Sequence, residues 1–214
     1  MNPTIQKNFR LALAICFGIL LITVSIILDL GKTNSFVLIN SHYSGVGDLM
    51  FPYITYLGDG LIYIPVAIYC FIYHRKYLVA IISGIFLCTL LTQVLKQWVY
   101  PEELRPFSLE AKQVVIHKIK GIELFTYNSF PSGHTGTAFT MALLLAAIMR
   151  KKIVVILLPF LALLVAYSRV YLAQHFVTDV CAGMIIGIIS ACLSLLIYKE
   201  FLKRQVPGYL NQKS

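Results

Sequence analysis

Charged residues are scarce in this sequence. Only 13% of the 214 residues are charged, and Asp and Glu number nine against 18 Lys and Arg. Soluble domains carry about 25% charged residues, so a soluble protein is not expected. The sequence has no Cys-x-x-Cys pair and no cluster of Asp, Glu and His at metal-ligand spacing, so neither a metal nor another cofactor is predicted. All five cysteines lie in apolar runs, where they are expected to be small buried hydrophobic residues.

Long apolar runs dominate what is there. Hydrophobic residues make up 58% of the chain, and a helical membrane crossing needs roughly 17–25 of them in sequence. Six runs of that kind cover residues 11–28, 50–73, 78–95, 133–149, 153–171 and 176–198. They predict an all-α, integral-membrane bundle of six transmembrane helices in a single domain over residues 1–214. The first run is too long for a signal peptide and no small-x-small cleavage site follows it, which favours a retained helix.

The basic residues between these runs predict the orientation. Eleven of the 18 fall on one side: Lys7, Arg10, Arg75, Lys76, Arg150, Lys151, Lys152, Lys199, Lys203, Arg204 and Lys213. Basic loops stay in the cytoplasm, so we expect a multi-pass protein of the cell inner (plasma) membrane with cytoplasmic termini. The loop between helices three and four then lies on the periplasmic or extracellular side. The net charge of +9 is interpreted as attraction to the lipid bilayer, with no nucleic acid as partner.

Charged residues also collect on the opposite, outer side. Lys96, Arg105, Arg169 and Asp179 are found there together with two histidines. Charges at membrane depth are costly and are functional candidates by default. Asp59, within Gly-Asp-Gly, could line the same pocket, although a cap or hinge at the start of helix two is favoured.

The stretch "NSFPSGHTG", residues 128–136, has the composition of a phosphate-binding helix start. Ser132 is placed to cap the helix, and Gly133 allows a ligand to approach the backbone. A helix N-terminus is a ready anion site, and Lys96, Arg105 and Arg169 would add positive charge. His134 supplies a proton donor within the same stretch.

A second pattern runs from Ser168 to Asp179. His175 and Asp179 are four residues apart, so on a helix they share a face and the carboxylate can reach the imidazole. An Asp that holds one ring nitrogen leaves the other free to attack an electrophile. The alternative is a pair at a helix start whose members only satisfy each other.

Taken together, these residues resemble the type 2 phosphatidic acid phosphatase (PAP2) superfamily. Its second and third motifs, Pro-Ser-Gly-His and Ser-Arg-x5-His-x3-Asp, match residues 131–134 and 168–179 without a mismatch. In the first motif, eight residues separate Lys96 from Arg105-Pro106 where the family usually has six, and Trp98 occupies the position that the shorter spacing would give to lysine.

The resemblance implies a membrane enzyme that hydrolyses a lipid phosphomonoester or pyrophosphate at the outer leaflet. It implies His175 as nucleophile, Asp179 as its orienting partner and His134 as the acid and base. Phosphate-binding residues would be Lys96, Arg105, Ser132, Gly133 and Arg169, without a metal. The substrate would be a phospholipid or a polyprenyl or lipid A-type phosphate, and the loop over residues 101–130 would cover the site.

Two other functions stay open from the sequence. A lipid phosphotransferase could use the same residues and pass the phosphoryl group to another lipid instead of water. A non-enzymatic transporter is disfavoured, because its two halves would be expected to share a repeat, whereas here the polar groups gather at one face.

The predicted orientation can be tested by labelling. In a background without native cysteines, Lys76→Cys and Lys118→Cys should react oppositely with a membrane-impermeant thiol reagent in intact cells, because the two positions lie on opposite sides. Labelling of both positions, or of neither before permeabilisation, would contradict this orientation.

Overall fold

Helices form the whole regular structure of residues 3–205, which are the residues described by a computed structural model of the chain. Seven are α-helices: α1 (Pro3–Asn40), α2 (Gly45–Ile54), α3 (Tyr63–Tyr73), α4 (Leu78–Val94), α5 (Gly133–Ile148), α6 (Lys152–Tyr171) and α7 (Val177–Gln205). The short 3-10 turns are Thr55–Gly58, Gly60–Ile62, Arg75–Tyr77 and Pro106–Lys112, and a π-turn, Leu95–Val99, extends α4. The all-α prediction is confirmed for these residues, whereas Lys213 lies outside them.

Four segments are long and apolar enough to cross a membrane. They are Pro3–Asn40, Arg75–Val99, Lys152–Tyr171 and Val177–Arg204, and a fifth crossing is possible if Gly45–Gly58 and Gly60–Tyr73 form one bent span. α5, with 16 residues, would be about 24 Å long, which is shorter than the roughly 30 Å hydrocarbon core. The described residues therefore support a membrane protein with four or five candidate spans, fewer than the six predicted.

The second predicted crossing is broken in the middle. The helices on either side of Gly58-Asp59-Gly60 are bent by 60°, and Asp59 itself has an extended backbone (φ −69°, ψ 146°). Its Oδ1 accepts a hydrogen bond of 2.9 Å from the backbone N–H of Leu61, so Asp59 caps the following turn. The expectation of a cap at Asp59 is confirmed, while a continuous helix over residues 50–73 was wrong.

α5 lies at the centre of the bundle and packs against α1, α4, α6 and α7. Twelve of its residues are buried, and all twelve lie in the stretch from Thr135 to Ala147. A helix that is apolar on all sides is typical of such a central position. The middle of α5, from Thr135 onward, is therefore surrounded by protein.

Glycines bring α5 and α7 unusually close together. A Cβ atom at Gly183 would lie 2.5 Å from the Ser132 carbonyl oxygen, and one at Gly187 would lie 2.7 Å from the Cβ of Phe139. Real Cβ atoms do not approach backbone atoms so closely. Small residues at a helix interface permit this backbone approach inside a membrane.

The α4–α5 loop, residues 100–132, contains one 3-10 turn and otherwise no regular structure. Its middle is fixed to the helices: His117 Nε2 contacts Asp48 Oδ1 at 2.7 Å, and the His117 N–H donates to Asn40 Oδ1 at 2.8 Å. The Tyr43 ring stacks on the His117 imidazole with centroids 3.9 Å apart. The loop is thus held against the ends of α1 and α2.

The close α5–α7 contact predicts a specific sensitivity. Gly183→Ala adds one methyl group that has no space, and overpacking of this kind costs about 1–3 kcal/mol of unfolding free energy. Gly18→Ala is the matched control, because its Cβ would meet no atom within 4 Å. Thermal unfolding in detergent should show a lower Tm for Gly183→Ala only. Equal melting of the two variants would contradict the role of this contact.

Candidate active site

The N-terminal ends of α5 and α7 meet at one point. The backbone N–H of Ser132 donates a hydrogen bond of 3.0 Å to the Asp179 carbonyl oxygen. Ser132 caps α5, since its Oγ accepts from the Thr135 N–H at 3.4 Å and from the Thr135 hydroxyl at 2.9 Å. Helix N-termini carry partial positive charge, so this junction attracts anions.

His175 and Asp179 form a buried pair beside this junction. The imidazole is 2% exposed and the carboxylate 0%, and Nδ1 lies 3.5 Å from Asp179 Oδ2. That separation is within ion-pair range, but the two groups do not form a hydrogen bond. His175 Nδ1 has no hydrogen-bond partner among the described residues. His175 precedes α7, so the pair spans the start of the helix.

The remaining partners of Asp179 fix its orientation. Oδ2 accepts from the Phe176 N–H at 2.9 Å and from the Ser129 hydroxyl at 2.5 Å. In the first of these bonds, a carboxylate at the third position of α7 accepts from the backbone N–H of the residue that precedes the helix, which is a common helix-capping arrangement. Asp179 is therefore held in one orientation by groups other than the imidazole.

Ser129 was not identified from the sequence as a partner of Asp179. It is fully buried and lies within the quoted stretch, but three residues before Ser132 and outside the matched motif. A serine in a loop carries no signal of burial, and only the tertiary contact with α7 reveals its partner.

The surroundings of His175 favour its neutral form. Burial lowers the pKa of His175 well below its ordinary value, and the charge of Arg169 acts in the same direction, while Asp179 opposes both. The neutral imidazole is consequently the favoured form, and a neutral ring with its Nδ1–H toward Asp179 would carry its lone pair on the opposite nitrogen.

Arg169 is 7% exposed and keeps donors unused. Its Nη1 donates to Thr55 Oγ1 at 2.7 Å, whereas Nε has no hydrogen-bond partner in the described part of the chain. The Arg169 carbonyl accepts from the His175 N–H at 3.1 Å. The turn that ends α6 therefore carries both the guanidinium and the imidazole into the site.

Arg105 uses most of its donors to hold the α4–α5 loop. Nε donates to the Tyr127 carbonyl at 3.0 Å, Nη1 donates to the carbonyl and the Oε1 of Gln174 at 3.1 and 3.0 Å, and Nη2 donates to the Asn128 carbonyl at 3.3 Å. A guanidinium has five N–H groups, so one remains. Gln174, also not identified from the sequence, continues the chain through Nε2 to the Glu123 carbonyl at 2.7 Å.

Lys96 lies in the π-turn that ends α4, half-buried. It is within electrostatic range of Arg105, Arg169 and Asp179. Trp98, the alternative position for the lysine, is 82% exposed. The longer spacing to Arg105 is thus compatible with Lys96 at the site.

His134 differs from His175 in being accessible. Its side chain is 31% exposed, and its Nε2 lies 3.9 Å from Asp59 Oδ2. The side chain opens into a cavity of about 240 Å³ between α4, α5 and the broken helix pair, which we call the His134 cleft. The cleft is lined by Gly58, Gly60, Cys88, Thr89, Thr92, Gln93, Gly133, His134 and Thr137. The buried hydroxyl of Thr92 has no hydrogen-bond partner among the described residues.

The eight residues identified from the sequence therefore gather around the joined ends of α5 and α7. No group of three or more His, Cys, Asp and Glu side chains within residues 3–205 is arranged to hold a metal ion.

Comparison with known proteins gives a consistent result. The chain is 38% identical over 110 residues to the probable lipid phosphate phosphatase 4 of Arabidopsis thaliana, covering 45% of this chain and 36% of that protein. It is 31% identical over 157 residues to phosphatidylglycerophosphatase B of Bacillus subtilis (strain 168), covering 68% and 66% of the two chains. A lipid A 4'-phosphatase of Porphyromonas gingivalis is 36% identical over 73 residues, 34% of this chain and 30% of that protein. The chain thus spans between about a third and two thirds of the length of these curated relatives.

A solved structure and a family model agree with these matches. The crystal structure of Aquifex aeolicus LpxE superposes with a TM-score of 0.66 at 32% identity, covering 77% of this chain and 94% of that one. The model of the PAP2 superfamily matches residues 74–203, a range that contains all eight site residues. The resemblance seen in the sequence is confirmed: the chain belongs to the PAP2 superfamily.

Proposed function

We propose that this protein is an integral-membrane lipid phosphatase that works through a phosphohistidine on His175. The observation that carries the proposal is the fully buried His175–Asp179 pair at the joined N-terminal ends of α5 and α7. Neutral imidazole, helix ends and unpaired cation donors together suit a phosphoryl group and have no evident structural purpose. The names of the relatives, all phosphatases of lipids, support the same reaction.

The first step forms the covalent intermediate. Asp179 faces Nδ1, so the lone pair on Nε2 of His175 attacks phosphorus. The bond between phosphorus and the lipid oxygen breaks, and its electron pair leaves with that oxygen. His134, as an imidazolium at the open side of the site, gives the leaving oxygen a proton. The lipid alcohol, or the lipid monophosphate from a pyrophosphate, departs through the His134 cleft.

The second step releases phosphate. Neutral His134 now takes a proton from a water molecule, whose oxygen attacks the phosphorus of the phosphohistidine. The phosphorus–nitrogen bond breaks and returns the electron pair to Nε2 of His175. Inorganic phosphate leaves with His134 protonated again, so the cycle closes without a metal ion.

Fixed hydrogen-bond donors stabilise the negative charge that develops on the phosphoryl oxygens. The free Nε–H of Arg169, the ammonium of Lys96 and the N–H of Gly133 surround the junction, and Ser132 adds a hydroxyl. Arg105 has one N–H left for the substrate, so its larger contribution is to hold the loop that carries Ser129. Such preorganised donors stabilise a transition state because they need no reorientation.

The placement in the membrane follows from the basic residues. Six crossings, with α5 as a short central one and the broken pair as the second, bring all eight site residues to the outer leaflet of the plasma membrane. A groove of about 190 Å³ with a wholly apolar lining runs between the broken pair, α5 and α6 and includes Leu57, Ala138 and Val165. Leu57 in its lining is the chain neighbour of Gly58, which lies against the His134 backbone and lines the His134 cleft. An acyl or prenyl chain fits such a surface, which favours a lipid substrate.

Substrate class can be tested by phosphate release. The purified protein in detergent should release phosphate from phosphatidic acid, phosphatidylglycerol phosphate, an undecaprenyl pyrophosphate or lipid A faster than from glucose 6-phosphate, because the apolar groove offers a lipid chain, but not a sugar, an apolar surface to bind. His175→Ala, purified in parallel, is the control for contaminating phosphatases. Equal kcat/KM for lipid and sugar phosphates would contradict a lipid phosphatase.

The covalent step has its own test. With ³²P-labelled substrate, the wild type should give an alkali-stable, acid-labile phosphoprotein that is absent in His175→Ala. His134→Ala should lower kcat by about 10²–10⁴-fold, the usual loss for a general acid and base. Vanadate should inhibit, and EDTA should have no effect. Label retained in a folded His175→Ala protein, or activity that needs a divalent ion, would rule out this mechanism.

A further inference from the structure

Asp59 is the one carboxylate in the described residues that lies within ion-pair distance of His134. Its Oδ2 is 3.9 Å from His134 Nε2, while its other oxygen, Oδ1, accepts the Leu61 N–H. The two oxygens thus have different partners, one in the backbone and one in the site. The capping role identified from the sequence accounts only for the first.

The backbone holds Asp59 in this position firmly. The carbonyl oxygen of His134 would lie 2.6 Å from a Cβ atom on Gly58, as would a methyl carbon of Val165. The broken helix pair therefore packs closely against the first turn of α5 at the residue next to Asp59. The break itself, which shortens two helices, has the effect of bringing a carboxylate to the acid–base histidine.

The electrostatic surroundings of His134 explain what that carboxylate does. Three cations act on it, Lys96 from α4, Arg105 from the α4–α5 loop and Arg169 from α6, and Asp59 is the opposing charge. On α7, Asp179 is engaged by Ser129 and the Phe176 N–H. On α1, Lys32 is paired with Glu103 of the loop. A proton on His134 is thus disfavoured first by the burial of the ring and then by these three charges, and it is favoured by Asp59.

A general acid must hold its proton until the leaving oxygen takes it. We infer that Asp59 is a positioning residue for His134, which orients the imidazole toward the His134 cleft and stabilises its protonated form against the surrounding cations. This inference rests on the proposed function. It gives the second histidine of the site a carboxylate partner, as Asp179 is the partner of the first.

The test is the pH profile of kcat/KM for a lipid phosphate. Asp59→Asn removes the charge but keeps an oxygen that can cap the Leu61 turn. Protonated His134 is then less stable, so the alkaline limb of the profile should move to lower pH. At pH values above the wild-type optimum, kcat/KM should fall by about 10–100-fold, within the loss expected for an impaired general acid. Asp59→Glu, which restores the charge, should return the limb toward its original position.

Matched variants distinguish the proposed effect of Asp59 on His134 from a purely structural role of Asp59. Asp29→Asn removes an exposed carboxylate of α1 and should leave the profile unchanged. Asp59→Ser keeps a capping oxygen without charge and carries the same expectation as Asp59→Asn if the latter is poorly folded. A merely structural Asp59 would give a uniform loss at every pH, with a lower Tm and an unmoved alkaline limb.

The outcomes are distinguishable. If wild-type protein releases no phosphate from any lipid, the proposed function fails. If the wild type is active and the folded Asp59→Asn and Asp59→Ser variants keep its alkaline limb, the inference about Asp59 is overturned and the phosphatase stands. A shifted limb that Asp59→Glu restores would establish the role of the carboxylate.

Discussion

The site depends on the close approach of α5 and α7. Gly183 and Gly187 allow their backbones to touch, and the hydrogen bond from Ser132 to the Asp179 carbonyl joins the two first turns. Without that contact, neither the two helix ends nor the two sequence motifs would lie together. Small residues at this interface are therefore as much a part of the site as the histidines, because helix packing in a membrane relies on such close contact.

The two histidines of the candidate site differ in exposure and in the way their carboxylate partners are held. His175 is sealed in protein, where burial favours the neutral ring, and its carboxylate partner is fixed by other hydrogen bonds. His134 is partly open, surrounded by cations and faced by Asp59. In the proposed reaction one ring gives an electron pair and the other gives a proton. The buried ring faces a carboxylate that other groups hold in place, whereas the accessible ring faces the His134 cleft, so the two rings differ in their access to water and to a leaving group.

The α4–α5 loop is tied to the candidate site by side-chain hydrogen bonds. Through Arg105 it binds Gln174, next to His175, and through Ser129 it binds Asp179. Its middle is secured at His117 by Asp48 and Asn40. A loop with so little regular structure keeps its position only through such side-chain contacts, because it has no backbone ladder of its own. Ser129 and Gln174, which hold Asp179 and Arg105, are consequently not among the residues that the three motifs specify.

The sequence by itself determined the all-α class, the family and the helix cap at Ser132, and it supplied the candidate residues of the site, because hydrophobic runs and motif spacing are local properties. It could not give the broken helix around Asp59, the shortness of α5, or Ser129 and Gln174 as partners. Each of these arises where distant segments meet: Asp59 with His134, Ser129 with Asp179 and Arg105 with Gln174. Pairings over 50 or more residues leave no periodic signal, so only the tertiary structure decided them.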